Sequence, residues 1–358
     1  MPAQAATRAA TEPRDPSATV TAVIASPLEP ELVERLRAVD RRRLRVVHEP
    51  DLIPRPRFAS DHGGIPPELD AAGVERWLAI LRSAEVLYDL DWYAPADLAT
   101  NAPRLRWVQA SKSGVGEQLR RLGLDRTAIA FTNSSGVHAI PLTEWVVLGL
   151  LYLLKGVPRL QAEQAQRAWH AEVIPRLHGS RILLIGLGGL GRQIAGTLAG
   201  LGVEVLGLRR TSAPPPDGVR ELVAPDRLHE ALSSVDAVVV AAPWTPETHH
   251  LIGAAELAAM RPGAFVVNIA RGQLIDEPAL IDALQRGRLG GAVLDVFEEE
   301  PLPATSPLWA MANVLISPHT MSVVEAENEL IVEVFADNLR RYLDGEPLRN
   351  IYDRDRGY

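Results

Sequence analysis

The 358-residue chain contains no cysteine, which excludes disulfides, thiolate nucleophiles and cysteine-ligated zinc. Lysine is nearly missing. Lys112 and Lys155 are the only two among 37 basic residues, an arginine bias that carries no mechanism by itself. Positive charge is not in excess. The formal net charge is −8, so no general attraction to nucleic acid or an anionic membrane is expected. Long hydrophobic runs are also lacking. The longest, residues 145–154, falls well short of the roughly 18 residues a membrane span needs and reads as a buried helix. Residues 1–18 are rich in Ala, Thr, Pro and Arg without an apolar stretch. They predict a disordered tail rather than a secretory signal, and the chain is expected to be cytoplasmic. No metal site is expected.

What is present suits a two-domain enzyme. The chain is 47% hydrophobic and 23% charged, and it is too long for one ordinary core. The most informative stretch is Gly186-Leu-Gly-Gly-Leu-Gly191. An apolar run, Ile182-Leu-Leu-Ile185, leads into it and a helical pattern leads out. Strand, glycine turn and helix in that order build a phosphate site. Gly186 permits the turn, Gly188 lets backbone approach a pyrophosphate, and Gly191 lets helix and strand pack closely. The amides around Gly189 and Leu190 open the helix, whose N-terminus favours an anion.

In an NAD site an acid about 20 residues further on binds the ribose 2′-hydroxyl. Here the strand beginning at Val203 runs into Leu208-Arg-Arg-Thr211. Arg209 and Arg210, with Thr211, stand where that acid is expected. A guanidinium binds a 2′-phosphate with paired hydrogen bonds, so NADP is preferred over NAD.

Periodicity divides the chain. Residues 20–131 alternate short apolar runs with helical stretches, an α/β pattern; residues 50–67, rich in Pro, Gly and charge, read as a long loop. A second α/β run begins at Ile182, with six strands starting at Ile182, Val203, Ala237, Ala264, Gly291 and Val314. A last amphipathic helix, 323–343, has no strand after it and is expected to pack back on the first domain. The expected fold is α/β with two Rossmann-like domains. The NAD(P)-binding domain (149–320) is inserted in a discontinuous flavodoxin-like substrate domain (19–148 and 321–358).

Three polar signals follow successive strands: Asn268-Ile-Ala-Arg-Gly272, Asp295-Val-Phe-Glu-Glu-Glu-Pro301 and Ser317-Pro-His319. Ligands bind at the carboxyl ends of strands in open α/β sheets. An arginine, a glutamate and a histidine converging there supply a cation for a carboxylate, an acid/base and a group to tune it.

Together with Ala242-Pro-Trp-Thr-Pro-Glu-Thr248, these motifs resemble the D-isomer-specific 2-hydroxyacid dehydrogenase family, and more narrowly its glyoxylate/hydroxypyruvate reductases. The likeness runs from about residue 20 to 348. It implies that Arg271 binds the substrate carboxylate and polarises the keto group. It implies that His319 is the acid/base and that Glu300, not Glu298 or Glu299, is its partner. Ser113, Gly114 and Val115 resemble the loop that holds the carboxylate. Pro243, Thr248, Ile269, Ala270 and Asp295 are implied as cofactor contacts, Asp295 toward the nicotinamide amide. The implied partner is a small 2-oxo or 2-hydroxy acid, and the implied assembly a homodimer that uses residues 145–154. Trp145 and Trp244 depart from the family pattern, and Asp61-His-Gly-Gly64 is not carried over from it. Two other readings remain open: a nicotinamide-sensing corepressor-like protein on the same fold, and a 3-phosphoglycerate dehydrogenase.

Overall fold

The computed structural model describes residues 18–210 and 214–357. The tail expected over residues 1–18 therefore falls outside it, apart from Ala18. The chain forms two units: one holds the chain up to His138 and again from Val323, the other holds Ala139–Ser322.

The first unit is built from β1 (Val20–Ile24), α1 (Pro30–Arg37), β2 (Leu44–Val47), α2 (Ala71–Ser83), β3 (Val86–Tyr88), α3 (Leu98–Asn101), β4 (Trp107–Gln109), α4 (Gly116–Arg121) and β5 (Ala130–Thr132). Its five strands are all parallel, in the order β2-β1-β3-β4-β5. That is the flavodoxin-like order. β2, Leu-Arg-Val-Val, was not legible as a strand, because an arginine interrupts four residues at the sheet edge. The loop between β2 and α2 carries an isolated bridge, Arg55 to Ile65. Buried Asp61 clamps it, accepting from the Arg57 guanidinium and backbone and from the Gly64 N–H. Those Arg57 hydrogen bonds hold the Asp61 carboxyl well below the usual carboxylate range.

The second unit contains α5 (Ala139–Leu154), α6 (Val157–Gln166), β6 (Arg181–Ile185), α7 (Gly189–Gly200), β7 (Glu204–Leu208), β8 (Glu221–Val223), α8 (Leu228–Leu232), β9 (Ala237–Val240), α9 (Ala254–Ala259), β10 (Phe265–Asn268), α10 (Glu277–Gln285), β11 (Gly291–Leu294) and β12 (Val314–Ile316). Its parallel sheet has the order β12-β11-β10-β9-β6-β7-β8, a doubly wound nucleotide-binding arrangement with one extra strand. Seven strands stand where the sequence predicts six. The addition is β8, three residues at the edge with an exposed glutamate, too short and too polar to announce itself. The central strands are buried on both faces, so they read as continuous apolar runs without alternation.

The boundary expected after residue 148 cuts through α5. The whole helix belongs to the second unit, because Trp145, Val146, Leu150 and Leu153 share one core with Ile182, Leu184, Val267 and Val293. The last helix, α11 (Glu327–Asp344), belongs to the first. It places Ile331, Phe335, Leu339 and Tyr342 on Val20, Ala22, Ile24 and Trp107. Phe335 lies 5.3 Å from the Tyr88 ring and 5.4 Å from Trp107. Acidic Glu327 and Glu329 favour its N-terminus, and Gly345 in the left-handed region ends it. Among the described residues, no single helix is long and apolar enough to cross a membrane.

Candidate active site

At the glycine turn, Gly186 has φ +102°, and a Cβ there would meet the Ala242 nitrogen at 2.6 Å. A Cβ on Gly191 would meet the Gly186 carbonyl oxygen at 2.0 Å. Folding alone thus requires both glycines. Gly188 differs, because a Cβ there would meet nothing within 4 Å. The protein does not need that glycine for its own packing, which fits a backbone kept bare for a ligand. Gly188 opens α7, no side chain caps the helix, and Gly189, Leu190 and Gly191 form its first turn with no acid among them. Such an end suits a pyrophosphate.

β7 ends at Leu208, so Arg209 and Arg210 stand just past its carboxyl end; Arg210 is exposed. The Arg209 N–H donates to the Val223 carbonyl at 3.1 Å, which ties the position to β8. Thr211 lies outside the described residues. Pro243 is exposed. The Thr248 hydroxyl accepts from the Thr245 N–H at 2.7 Å and donates to the Pro243 carbonyl at 3.0 Å, closing a 3₁₀ turn after β9. Ile269 and Ala270 are buried at the end of β10.

Arg271 follows directly. Buried Asn268 shapes its turn: its Oδ1 accepts from the Ala270 N–H and its Nδ2 donates to the Arg271 carbonyl. The Arg271 guanidinium reaches the Ala270 carbonyl at 2.6 Å. Gln273 then donates to the Glu298 carbonyl at 3.2 Å, stapling this turn to the acidic loop after β11.

The acidic triplet divides its work. Glu298 pairs with His250 at 2.5 Å. Glu300 Oε2 meets His319 Nδ1 at 2.8 Å, and its Oε1 accepts from the Phe297 N–H at 3.0 Å. Burial pushes the Glu300 carboxyl up. The hydrogen bonds from His319 and Phe297, with the charges of His319 and Arg271, outweigh that and hold it below the ordinary glutamate range. Glu300 is therefore a carboxylate at neutral pH.

Asp295 is buried at the end of β11. Its Oδ1 accepts from the Ser317 hydroxyl and from the N–H groups of Thr320 at 3.1 Å and Met321 at 3.3 Å. It braces both sides of His319, whose backbone is left-handed at φ +56°. Burial pushes the Asp295 carboxyl up despite those bonds. The sequence pattern showed no bracing role for Asn268, Gln273 or Ser317; adjacency to the arginine and histidine motifs was the only signal.

In the first unit, residues 113–115 follow β4 and lead into α4. Ser113 is half-buried, Gly114 exposed and Val115 buried. Ser113 contacts the Ser134 carbonyl and His138. Among the described residues no group of side chains is arranged to hold a metal ion.

Residues 147–321 match the family model for the D-isomer specific 2-hydroxyacid dehydrogenase NAD-binding domain. A glyoxylate reductase of Thermococcus gammatolerans is 36% identical over 264 residues, covering 69% of this chain and 75% of that protein. An (S)-sulfolactate dehydrogenase of Chromohalobacter salexigens is 34% identical over 255 residues, 69% of this chain and 80% of that one. Among solved structures, a D-isomer specific 2-hydroxyacid dehydrogenase of Xanthobacter autotrophicus, in complex with NADPH and MES, superposes with a TM-score of 0.76. It is 31% identical and covers 95% of this chain and 100% of its own.

Proposed function

The chain belongs to the D-isomer-specific 2-hydroxyacid dehydrogenase family, and on that premise we propose that Arg271, Glu300 and His319 carry its chemistry. The reaction is NAD(P)H-dependent reduction of a 2-oxo acid to a 2-hydroxy acid. The observation that carries the residue assignment is the 2.8 Å bond between Glu300 and His319, on a loop stapled to the Arg271 turn.

A bound nicotinamide supplies the hydride that reaches the ketone carbon. Arg271 holds the substrate carboxylate and polarises the ketone oxygen, which gains negative charge as the C–H bond forms. Glu300 engages Nδ1 of His319, so Nε2 is the nitrogen left to face substrate; as imidazolium it donates its proton to that oxygen. Glu300 supplies the counter-charge. Asp295, with Oδ1 committed to the His319 turn, has Oδ2 for the nicotinamide carboxamide. Gly186, Gly188, Gly189, Leu190 and Gly191 take the pyrophosphate. Pro243, Thr248, Ile269 and Ala270 shape the walls beside it. In the first unit, Ser113, Gly114 and Val115 form the loop assigned to a substrate carboxylate by the family likeness.

Glyoxylate and hydroxypyruvate are the substrates we favour, as the name of the Thermococcus relative supports for the first. The test is nicotinamide oxidation with glyoxylate, hydroxypyruvate, pyruvate, phenylpyruvate and 3-phosphohydroxypyruvate, using NADPH and NADH. Turnover supports an enzyme. Folded protein inert across that panel supports the corepressor-like reading instead.

NADPH is the preferred cofactor, because Arg209 and Arg210 stand where an acid would repel the 2′-phosphate. Arg209→Asp is expected to weaken NADPH by roughly tenfold or more, since a lost charge-assisted contact costs about 1.5–3 kcal/mol, and to shift preference toward NADH. A wild type that already prefers NADH refutes the assignment.

We also propose a homodimer. Ile140 and Leu148 on α5 and Trp169 and Val173 beyond α6 leave large apolar side chains exposed, Trp169 at 96%. Light scattering should give twice the 38.9 kDa chain mass; a single-chain mass contradicts the proposal.

A further inference from the structure

Behind Ser113 in the first unit runs a chain of polar side chains that the chemistry above does not use. Ser113 Oγ lies 2.9 Å from His138 Nδ1 and 3.0 Å from the Ser134 carbonyl. His138 Nε2 lies 2.8 Å from Glu327 Oε1. His62, from the loop between β2 and α2, stands 3.6 Å from the same oxygen. The three ionisable members are largely enclosed: the side chains of Glu327, His62 and His138 are 5%, 9% and 13% exposed.

Proton accounting sets the state of this chain. A serine hydroxyl has one proton to give. If Ser113 gives it to the Ser134 carbonyl, the short contact to His138 holds only when Nδ1 carries a proton. Nε2 must carry another, because it faces a carboxylate. With both nitrogens protonated every contact is satisfied. With one proton fewer, Ser113 must turn its hydroxyl to Nδ1 and abandon Ser134, or set two lone pairs against each other. Burial pushes the Glu327 carboxyl up, but the histidine contacts prevail and lower it, so the counter-charge is in place. The other titratable groups on this crevice come from the neighbouring elements. Glu29, before α1, accepts from the Asn328 amide. Asp89, after β3, accepts from Ser111. Tyr88 is buried beside Glu29, Asp89 and Glu327 with its hydroxyl unbonded, as are both ring nitrogens of His62 and Oε2 of Glu327. Lys112, next to Ser113, is exposed.

We infer that His138, clamped between Glu327 and Ser113, is a proton-linked positioning residue for the loop 113–115. As imidazolium it puts a positive charge directly behind Ser113 and fixes the hydroxyl inward. The inference rests on the reading that this loop binds the substrate carboxylate. It adds that substrate affinity is tied to a proton on a group other than His319. A unit charge behind the loop that holds a carboxylate, at an effective dielectric of about 20 and after salt screening, is expected to change affinity roughly tenfold. Loss of that proton thus raises KM.

The test measures KM and kcat for glyoxylate from about pH 6 to about pH 9 in wild type, Ser113→Ala, His138→Gln and Glu327→Gln, each with its melting temperature. His138→Gln retains hydrogen bonding without a titrating ring. It should raise KM roughly tenfold, with kcat changed less than about threefold, and remove the part of the pH dependence of KM that His138 carries. Glu327→Gln keeps the ring but not the counter-charge and should move that dependence to lower pH. A KM profile in both variants parallel to wild type, with KM raised in Ser113→Ala, overturns the inference and leaves the loop assignment standing. An unaltered KM in Ser113→Ala also overturns the inference, because the hydroxyl is then no link between His138 and the loop. If one of the two variants fails to fold, the other decides.

Discussion

His319→Ala is expected to lower kcat by about 10²–10⁴-fold, the usual contribution of a placed general acid, while NADPH affinity changes by less than about twofold. The asymmetry follows from the site. The ring stands at the carboxyl end of β12, bonded through Nδ1 to Glu300, and its free nitrogen serves the reacting oxygen rather than the nucleotide. Turnover under saturating substrate and NADPH binding by fluorescence separate the two effects. Equal losses in both would make His319 a structural residue of the cofactor loop.

Glu300→Gln belongs to the same prediction and fixes its sign. Glu300 is held ionised by His319, the Phe297 N–H and the nearby Arg271 charge. Removing a carboxylate beside an imidazole makes imidazolium less favoured, so the ring loses its proton at lower pH. Reduction uses the protonated ring, and its alkaline limb should move to lower pH. Oxidation uses the neutral ring, and its acidic limb should move to lower pH too. Both limbs move together because one ring serves both directions. Profiles measured each way under chemistry-limited conditions check this; opposite shifts, or none, would reduce Glu300 to a hydrated turn residue.

Arg271→Leu carries the second large effect. A guanidinium pairs with a carboxylate through two parallel charge-assisted hydrogen bonds, together about 3–4 kcal/mol, so kcat/KM should fall roughly 10²–10³-fold. Arg271→Lys should recover only part, because an ammonium cannot present the planar fork. The side chain also helps keep Glu300 ionised, so Arg271→Leu should disturb the pH profile as well as KM. Steady-state kinetics with glyoxylate decide, and a kcat/KM within threefold of wild type would remove Arg271 from the site.

Much of the nucleotide half is legible along the chain because its signals are local. Residues 182–191 combine an apolar strand, a glycine turn and a helix start within ten positions, and each glycine has a reason that holds wherever that unit occurs. Arg209 and Arg210 are legible for the same reason: the acid's expected place is counted from the glycines. The edge strands β2 and β8 escaped because three or four residues with charges among them have no period of their own. They are strands only because β1 and β7 offer them a ladder. Helix α5 is apolar on nearly every side, so its sequence announces burial without saying against which core.

The sequence by itself determined two α/β domains, the unit of strand, glycine turn and helix, and the motifs that carry the family likeness. Those depend on neighbours a few residues apart, where spacing and chain geometry are the same thing. The likeness to the family already pairs Glu300 with His319; only the tertiary structure gave Glu298 to His250, since a turning loop sends consecutive carboxylates in different directions. It alone showed Asp295 bracing His319. It alone joined Ser113, His138 and Glu327 with His62 nearby, because that chain closes only when α11 returns across the sheet that β1 began.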